Sequence, residues 1–384
     1  MPLGRDTPAR MIVPRLLFHA PHWLYVLFWS ALVLVCSSRV QAAQRPLLVP
    51  TNTVVRITAA NVTGNSQKYE DFAIRIFKGL RPDVVAIQEF NYLSNSTNEI
   101  RSFINTAFGT NYHYFRETGA GYQIPNGIIS RYPFVATGQW TDAQISNRGF
   151  AWAQIDLPGT NDLYVVSVHL KASSGDAGVR AAQAAALKNL IQSTFPTNAW
   201  LVLAGDMNLQ SYGESAMTTF RTFLSATPVP ADQSGNTNTT NGRNEPYDQV
   251  LNSPAFTTNL TPTVIGALSF ANGLIFDSRV YSPLSAVTNV LIGDSGLAQH
   301  MAVMKDFRIH HTLTNTVEVP RPLLVQSKTN FFRWSAVPGI AYTVERSANL
   351  TNWQVATQFT ALTTNLAFTN LLSTNAYRFY RVSY

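Results

Sequence analysis

The sequence predicts an α/β chain in which two β-sheets are covered by helices, followed by a small all-β domain. Three observations carry this expectation. Apolar runs of strand length alternate with segments of helical spacing between residues 54 and 309. Polar residues end several of those apolar runs. Beyond about residue 325 the texture changes to short aromatic and β-branched runs separated by Gly, Asn, Ser and Thr.

The elements follow in order. VVRITAANV (54–62) reads as a strand running into a turn. QKYEDFAIRIFKGL (67–80) has helical spacing, and Pro82 closes it. DVVAIQEF (83–90) has the near-continuous apolar character of a buried strand. A helix is expected over 97–108, and strands near 113–117, 127–132, 150–157 and 163–170. Residues 178–195 are Ala-rich and favour a helix. LVLAGDMN (201–208) is a second buried strand, 213–225 a helix, and YDQVL (247–251) and MAVMKDFRI (301–309) complete the strand set. The stretch 228–246 is rich in Asn, Thr, Gly and Ser without periodicity, which marks a long loop, either functional or disordered. Residues 312–324 carry two prolines and read as a linker between a domain at 50–311 and one at 325–384. The latter is small, so its core is marginal. Trp334, Gly339, Tyr342, Val344, Leu350 and Trp353, followed by FYRV at 379–382, resemble β-rich C-terminal modules of exported bacterial proteins. The resemblance implies a small sandwich that binds a surface, a polymer or the first domain. Trp334 and Trp353 read as core or as a ligand platform.

The first 42 residues read as a signal peptide. Arg5, Arg10 and Arg15 precede an apolar run at 23–36, and Val40 and Ala42 fit cleavage after Ala42. The run is shorter than the roughly 20 residues that span a bilayer. A secreted, extracellular or periplasmic protein is therefore expected. Cleavage would remove Cys36, the one cysteine. That excludes disulfides, thiolate zinc sites and cysteine nucleophiles. It would also remove four of 28 basic and one of 21 acidic residues, reducing the net charge from +7 to +4. A mildly basic surface permits a phosphate-backbone ligand without requiring one.

The chemistry lies where polar residues end the strands. Asn61, Glu89, His169, Asp206 and Asn208 stand at such ends, Asp248 begins a strand, and His300 precedes one. Polar groups are costly in a core unless satisfied, and strand ends can present them together. Glu89, Asp206 and Asn208 offer oxygen ligands suited to Mg²⁺ or Mn²⁺, with Ca²⁺ an alternative. Asn61 would orient a carboxylate or donate to a phosphate oxygen. His300 beside Asp248 is a general-base arrangement. His169 and Lys171 would donate to a phosphate oxygen. Each also has a plainer reading: Asp206 and Asn208 as a turn or cap, His169 as a packed histidine, Asp248 as the end of the polar loop.

Taken together these segments resemble the endonuclease/exonuclease/phosphatase superfamily, which includes secreted DNases, abasic-site endonucleases, sphingomyelinases and inositol phosphatases. The resemblance covers roughly residues 53–311. It rests on Asn61 in TAANVTG, on IQEF with Glu89, on GIISRYP at 127–133 preceded by Asn126, on VHLK at 168–171, on GDMN at 205–208, and loosely on RNEPYDQVL with Asp248. It implies a four-layer α/β/β/α sandwich of two packed sheets. It also implies a metal site built on Glu89, Asn61, Asp206, Asn208 and position 299, with phosphate contacts from Asn126 and Arg131. Arg131 alternatively reads as structural. The family usually carries Ser-Asp-His before its last strand, whereas this chain has Gln299 before His300. An amide has no negative charge, so weaker or altered metal binding is expected there. The implied activity is metal-assisted phosphodiester hydrolysis on nucleic acid, DNA before RNA, by a monomer. Lipid head groups or small phosphoesters are the alternative substrates. An apolar hairpin within 256–276 would favour lipid. A non-catalytic surface-binding protein is the third reading.

Overall fold

The computed structural model describes residues 43–319, 325–328, 331–369 and 379–384. The proposed signal peptide, 1–42, lies outside the described residues. Among the described residues no helix is long and apolar enough to cross a membrane. The chain divides into two compact units, one spanning Thr51–His311 and the other containing Thr312–Tyr384.

In chain order the first unit comprises β1 (Ala43–Ala60), α1 (Asp71–Leu80), β2 (Val84–Ile87), α2 (Thr97–Ala107), β3 (His113–Arg116), β4 (Gly127–Ser130), β5 (Phe134–Trp140), β6 (Phe150–Ile155), β7 (Leu163–His169), α3 (Ala177–Thr194), β8 (Trp200–Asp206), α4 (Ser215–Arg221), β9 (Asp248–Asn252), α5 (Pro254–Thr257), β10 (Leu260–Thr261), β11 (Thr263–Ile265), β12 (Leu268–Phe270), β13 (Leu274–Phe276), α6 (Asp294–Leu297) and β14 (Ala302–Val319). Strands β1 and β14 extend past the boundary of this unit. One sheet runs β10-β14-β1-β2-β4-β3, with β13 also paired to β14. The other runs β5-β6-β7-β8-β9. β1 and β2 are parallel, as are β7 and β8.

Strand alternation explains the layering. Val84 and Ala86 of β2 enter the core between the sheets, where they meet Val165 of β7 and Val202 of β8. Val85 and Ile87 face the other way, onto Phe77 of α1 and Phe103 of α2. On the second sheet, Val166 and Leu203 face Leu187 of α3 and Phe220 of α4. Three apolar layers thus separate four structural ones, in the order helices, sheet, sheet, helices. The helices are ordinary products of their sequence: α1 presents Phe72, Ala73, Ile76, Phe77 and Leu80 along one buried face, and Ser96 and Glu99 close α2 with a reciprocal capping box.

Two elements differ from expectation, β5 and the end of β14. β5 is hidden in the sequence by Gly138, whose added Cβ would lie 2.4 Å from the Trp152 ring, so the glycine marks close packing. β14 continues to Val319, so 312–319 is strand where a linker is expected; Pro320 and Pro322 lie outside the described residues. In the segment 256–276, Phe256, Ile265, Leu274, Ile275 and Phe276 are buried, so these apolar side chains belong to the core and not to a protruding hairpin. The β11–β12 hairpin leaves Val264 exposed.

In the second unit, two three-stranded sheets are formed by β15 (Val325–Lys328), β16 (Phe331–Ser335), β17 (Ala341–Ser347), β18 (Gln354–Thr360), β19 (Asn365–Thr369) and β20 (Phe379–Ser383). Trp334, Tyr342 and Val344 are its core. The Arg381 guanidinium lies 4.2 Å from the centre of the Trp353 ring.

Candidate active site

The site is a row across the second sheet faced by loops of the first. His169 ends β7 and Asp206 ends the parallel β8, so both emerge at the same end. Register places His169 beside Asp206 and Asp206 beside Asp248, which begins the antiparallel β9. On the first sheet Asn61 follows β1, Glu89 follows β2, and His300 precedes β14. Gly205 allows the two sheets to meet here. A Cβ on it would lie 2.1 Å from the Val168 carbonyl oxygen and 2.6 Å from Gln88 Nε2, so only glycine fits. Gln88 in turn donates across to Ser167 Oγ at 2.9 Å.

A continuous polar chain links the two halves. The Thr63 hydroxyl lies 2.6 Å from Glu89 Oε2 and 3.2 Å from Asn61 Oδ1. Asn61 Nδ2 donates to Asp206 Oδ2 at 3.0 Å. His169 Nε2 lies 3.2 Å and His300 Nδ1 3.5 Å from that same oxygen. His300 Nδ1 is 3.0 Å from Asp248 Oδ2, an ion-pair distance off the in-line direction of the ring N–H. Thr239 donates to Asp248 Oδ2 at 2.8 Å. Asn208 donates its backbone N–H to Asp206 Oδ1 at 2.9 Å and its amide to the Leu170 carbonyl at 3.0 Å. Glu89 and Asn208 both have φ of 49°. Asparagine tolerates that region; for glutamate it stores about 1 kcal/mol or more, as is common where a site over-determines its backbone.

Burial and like charge dominate the electrostatics. Burial raises Glu89, offset by the Thr63 hydrogen bond, and Asp206 adds to the rise. Burial likewise raises Asp206, with His300 opposing. Burial alone would lower His300, but Asp248, Asp206 and Glu89 outweigh it and push it up to about 9. Burial, then the Arg148 and His300 charges, holds His169 well below its usual range, so it is neutral.

This donor set fits a hard divalent cation. Three buried carboxylates share one network, and Asp248 Oδ1 has no hydrogen-bond donor among the described residues. Asp206, Asp248 and His300 offer ligand atoms within 4.8 Å of one another. Oxygen-rich, negatively charged sites of this kind suit Mg²⁺, Mn²⁺ or Ca²⁺.

One expected site residue, Arg131, lies elsewhere, and three others make contacts of their own in the cation-free structure. Arg131 is not at this end at all. It follows β4, which runs antiparallel to β2, and its Nε lies 3.1 Å from Asp83 Oδ1 ahead of β2. The pair ties the two strands at the end remote from Glu89. Asn126 is buried, its Nδ2 donates to the Gly149 carbonyl at 2.7 Å, and its Oδ1 has no donor among the described residues. Gln299 acts as a donor where a metal ligand is expected. Its Nε2 lies 2.9 Å from Glu89 Oε2, 2.8 Å from Thr63 Oγ1 and 3.0 Å from the Gly64 carbonyl. An amide N–H answers Glu89 where a carboxylate would repel it. Lys171 stands on the rim, 3.1 Å from Asp176.

Other residues were not legible in advance. Thr63 and Thr239 carry hydroxyls that the sequence does not single out. Arg148, in an Asn-Arg-Gly loop, donates to the carbonyls of His169 and Leu170 at 2.6 and 2.7 Å. Backbone hydrogen bonds tie the long loop 228–246 to the residues around His300: Met301 N–H donates to the Thr239 carbonyl at 2.7 Å and Asn241 N–H to the Gln299 carbonyl at 2.8 Å.

The profile of the Endonuclease/Exonuclease/phosphatase family matches residues 61–272, more than half of the chain. The chain belongs to this family. Its members are metal-dependent hydrolases of phosphoester bonds, and this chain is one of them. No curated protein sequence matches it significantly. Among solved structures it is similar to an endonuclease/exonuclease/phosphatase from Beutenbergia cavernae (14% identity, TM-score 0.46), covering 86% of this chain and 99% of that one. It is also similar to the catalytic domain of human Nocturnin with bound sulfate (16%, 0.45; 69% and 97%). A third is the beta toxin of Staphylococcus aureus (12%, 0.43; 65% and 99%).

Proposed function

We propose that the protein is an exported, monomeric phosphodiesterase that uses Mg²⁺ or Mn²⁺ and cleaves nucleic acid, DNA before RNA. The observation that carries the reading is the single buried network joining Glu89 of one sheet to Asp206, Asp248 and His300. Carboxylates from Glu89 and Asp206 would hold the cation, with Asn61 orienting Asp206 and Asp248 left to pair with His300. A bound divalent cation neutralises charge developing on the phosphoryl oxygens.

The remaining chemistry belongs to the side chains. His300 accepts the proton of the attacking water, and Asp248 stabilises the resulting imidazolium. In the cation-free site three carboxylates hold that proton on His300, at a pKa of about 9. A cation held by Glu89 and Asp206 would weaken the hold of those two carboxylates on that proton, leaving Asp248 as its partner. Neutral His169 donates to a non-bridging oxygen. Arg148 fixes the backbone that carries His169. The net charge of +4 left after removal of residues 1–42 is compatible with a polyanionic substrate. The C-terminal unit would attach the enzyme to a surface or polymer.

One observation favours the lipid-head-group alternative. Leu291, Ile292 and Leu297 are 57%, 70% and 60% exposed on the segment leading to His300. Exposed apolar side chains on a segment adjoining a site suit a substrate with an apolar part. Hydrolysis of plasmid DNA, RNA, sphingomyelin and bis(4-nitrophenyl) phosphate, with and without EDTA, decides between them. DNA cleavage abolished by EDTA and by Glu89→Ala is expected. Cleavage of lipid alone sinks the nuclease reading, and turnover that survives EDTA sinks the metal mechanism.

A further inference from the structure

A second polar cavity lies at the opposite end of the first sheet. Asp83 precedes β2 and Glu89 follows it, so the two ends are about 20 Å apart at 3.3 Å per residue. The cavity has a volume of about 530 Å³, and its walls carry Arg56, Arg81, Arg131 and Arg308 against Asp83 and Asp306. Two of the guanidiniums are already committed. Arg56 holds Asp306 with two hydrogen bonds of 3.0 and 2.9 Å and also donates to the Leu80 and Val264 carbonyls. Arg131 pairs with Asp83 and donates to the Tyr132 hydroxyl at 2.7 Å.

The other two are not. Arg308 makes one long contact, 3.3 Å, to the Thr261 hydroxyl. The Arg81 side chain has no hydrogen bond or ion pair among the described residues. Two carboxylates are thus answered and two positive charges remain, beside the hydroxyls of Thr261 and Ser269.

Arg81 is also conformationally costly where it stands. It caps α1 with φ 50° and ψ 55°, a position that glycine occupies without strain. The helix C-terminus does not need it for charge, since Lys78 already lies in the last turn. What the chain gains at this position is an arginine on the cavity wall. Guanidinium pairs with nearby hydroxyls are the natural receptor for a phosphate group.

We propose that Arg81 and Arg308 form a phosphate-binding site, separate from the catalytic end of the sheet. The phosphate is either free inorganic phosphate or a backbone phosphate of a bound nucleic-acid strand.

The test is calorimetric titration of the full-length chain in EDTA, once with inorganic phosphate and once with a short single-stranded DNA. The variants are Arg81→Gly and Arg308→Ala, with Lys188→Ala as a charge-matched control on α3. Each cavity variant is expected to weaken one binding component by about tenfold, while bis(4-nitrophenyl) phosphate hydrolysis in Mg²⁺ is unchanged. Arg81→Gly should melt no lower than the parent, because glycine fits the left-handed cap. A response to inorganic phosphate identifies free phosphate as sufficient, and a response to the strand alone assigns the site to a polymer. The proposal fails if neither titration changes in the cavity variants, or if Lys188→Ala weakens binding equally.

Discussion

Replacing Lys305 by methionine should stabilise the protein, and the gain should vanish at high pH. Lys305 lies on β14 between Val303 and Phe307, which both face the core between the sheets, so its side chain enters that core. It is 1% exposed, and its Nζ has no hydrogen-bond partner among the described residues. Gly273 makes room for the stem: a Cβ there would lie 3.2 Å from Lys305 Cγ. Burial lowers the ammonium from 10.5 to about 8. At 1.36 kcal/mol per pKa unit this is a penalty of about 3 kcal/mol. Below pH 8 both the folded and unfolded chains are protonated, and the full penalty is present. Between pH 8 and 10.5 the unfolded chain binds the extra proton, so parent stability rises with pH. Methionine has similar volume and no charge, so the variant lacks this dependence. Urea unfolding at pH 7, 8, 9 and 10.5 measures the difference. A gain of about 3 kcal/mol at pH 7, shrinking towards zero by pH 10.5, is expected. A variant less stable than the parent at pH 7, or a gain independent of pH, refutes the reasoning.

Three further outcomes are expected. His300→Ala and Asp248→Asn should each reduce kcat for bis(4-nitrophenyl) phosphate by about 10²–10⁴-fold with the circular dichroism spectrum retained; a loss below about fivefold would remove the pair from the chemistry. Gln299→Asp places a carboxylate beside Glu89, so the Mg²⁺ concentration for half-maximal rate should fall about tenfold, near 1.4 kcal/mol, while the metal-free protein melts lower; an unchanged Mg²⁺ dependence means that position 299 does not reach the cation. Glu117 is held up to about 7, chiefly by burial, against the N–H donors of Asn126 and Gly149. Its folded value exceeds its unfolded one, so the parent loses stability as pH rises from about 4.5 to 7. Glu117→Gln should therefore gain on the parent across that window in thermal melts, and parallel curves would contradict the assignment.

Much of the fold was legible because the apolar periods are clean. The near-continuous apolar runs of β2, β7 and β8 and the Ala-rich α3 carry their own assignment. The site was legible where a polar residue breaks an apolar run, which is how Asn61, Glu89, His169 and Asp206 stand out. Thr63, Thr239 and Arg148 were not, because a hydroxyl in a turn or an arginine in a polar loop looks like ordinary solvated surface until the fold buries it. Arg131 shows the opposite error. Its motif is distinctive, but strand direction, which the motif does not encode, carries it to the far end of β4. Gln299 was flagged as a departure; that its amide donates to Glu89 follows only from the orientation of the turn before β14.

The division of the active site between two sheets makes catalysis a reporter of assembly. Glu89 and Asn61 come from one sheet, and His169, Asp206 and Asp248 from the other. His300 arrives last in the chain, just ahead of β14. A folding intermediate with one sheet formed would own half a ligand set and no base. Cation binding must then be paid for by docking of the layers, and the bound cation returns that energy as RT ln(1 + [M]/Kd) to the junction. A truncation anywhere before residue 300 leaves the carboxylates without their histidine, so nascent chains stay inert until nearly all of the catalytic unit has been made.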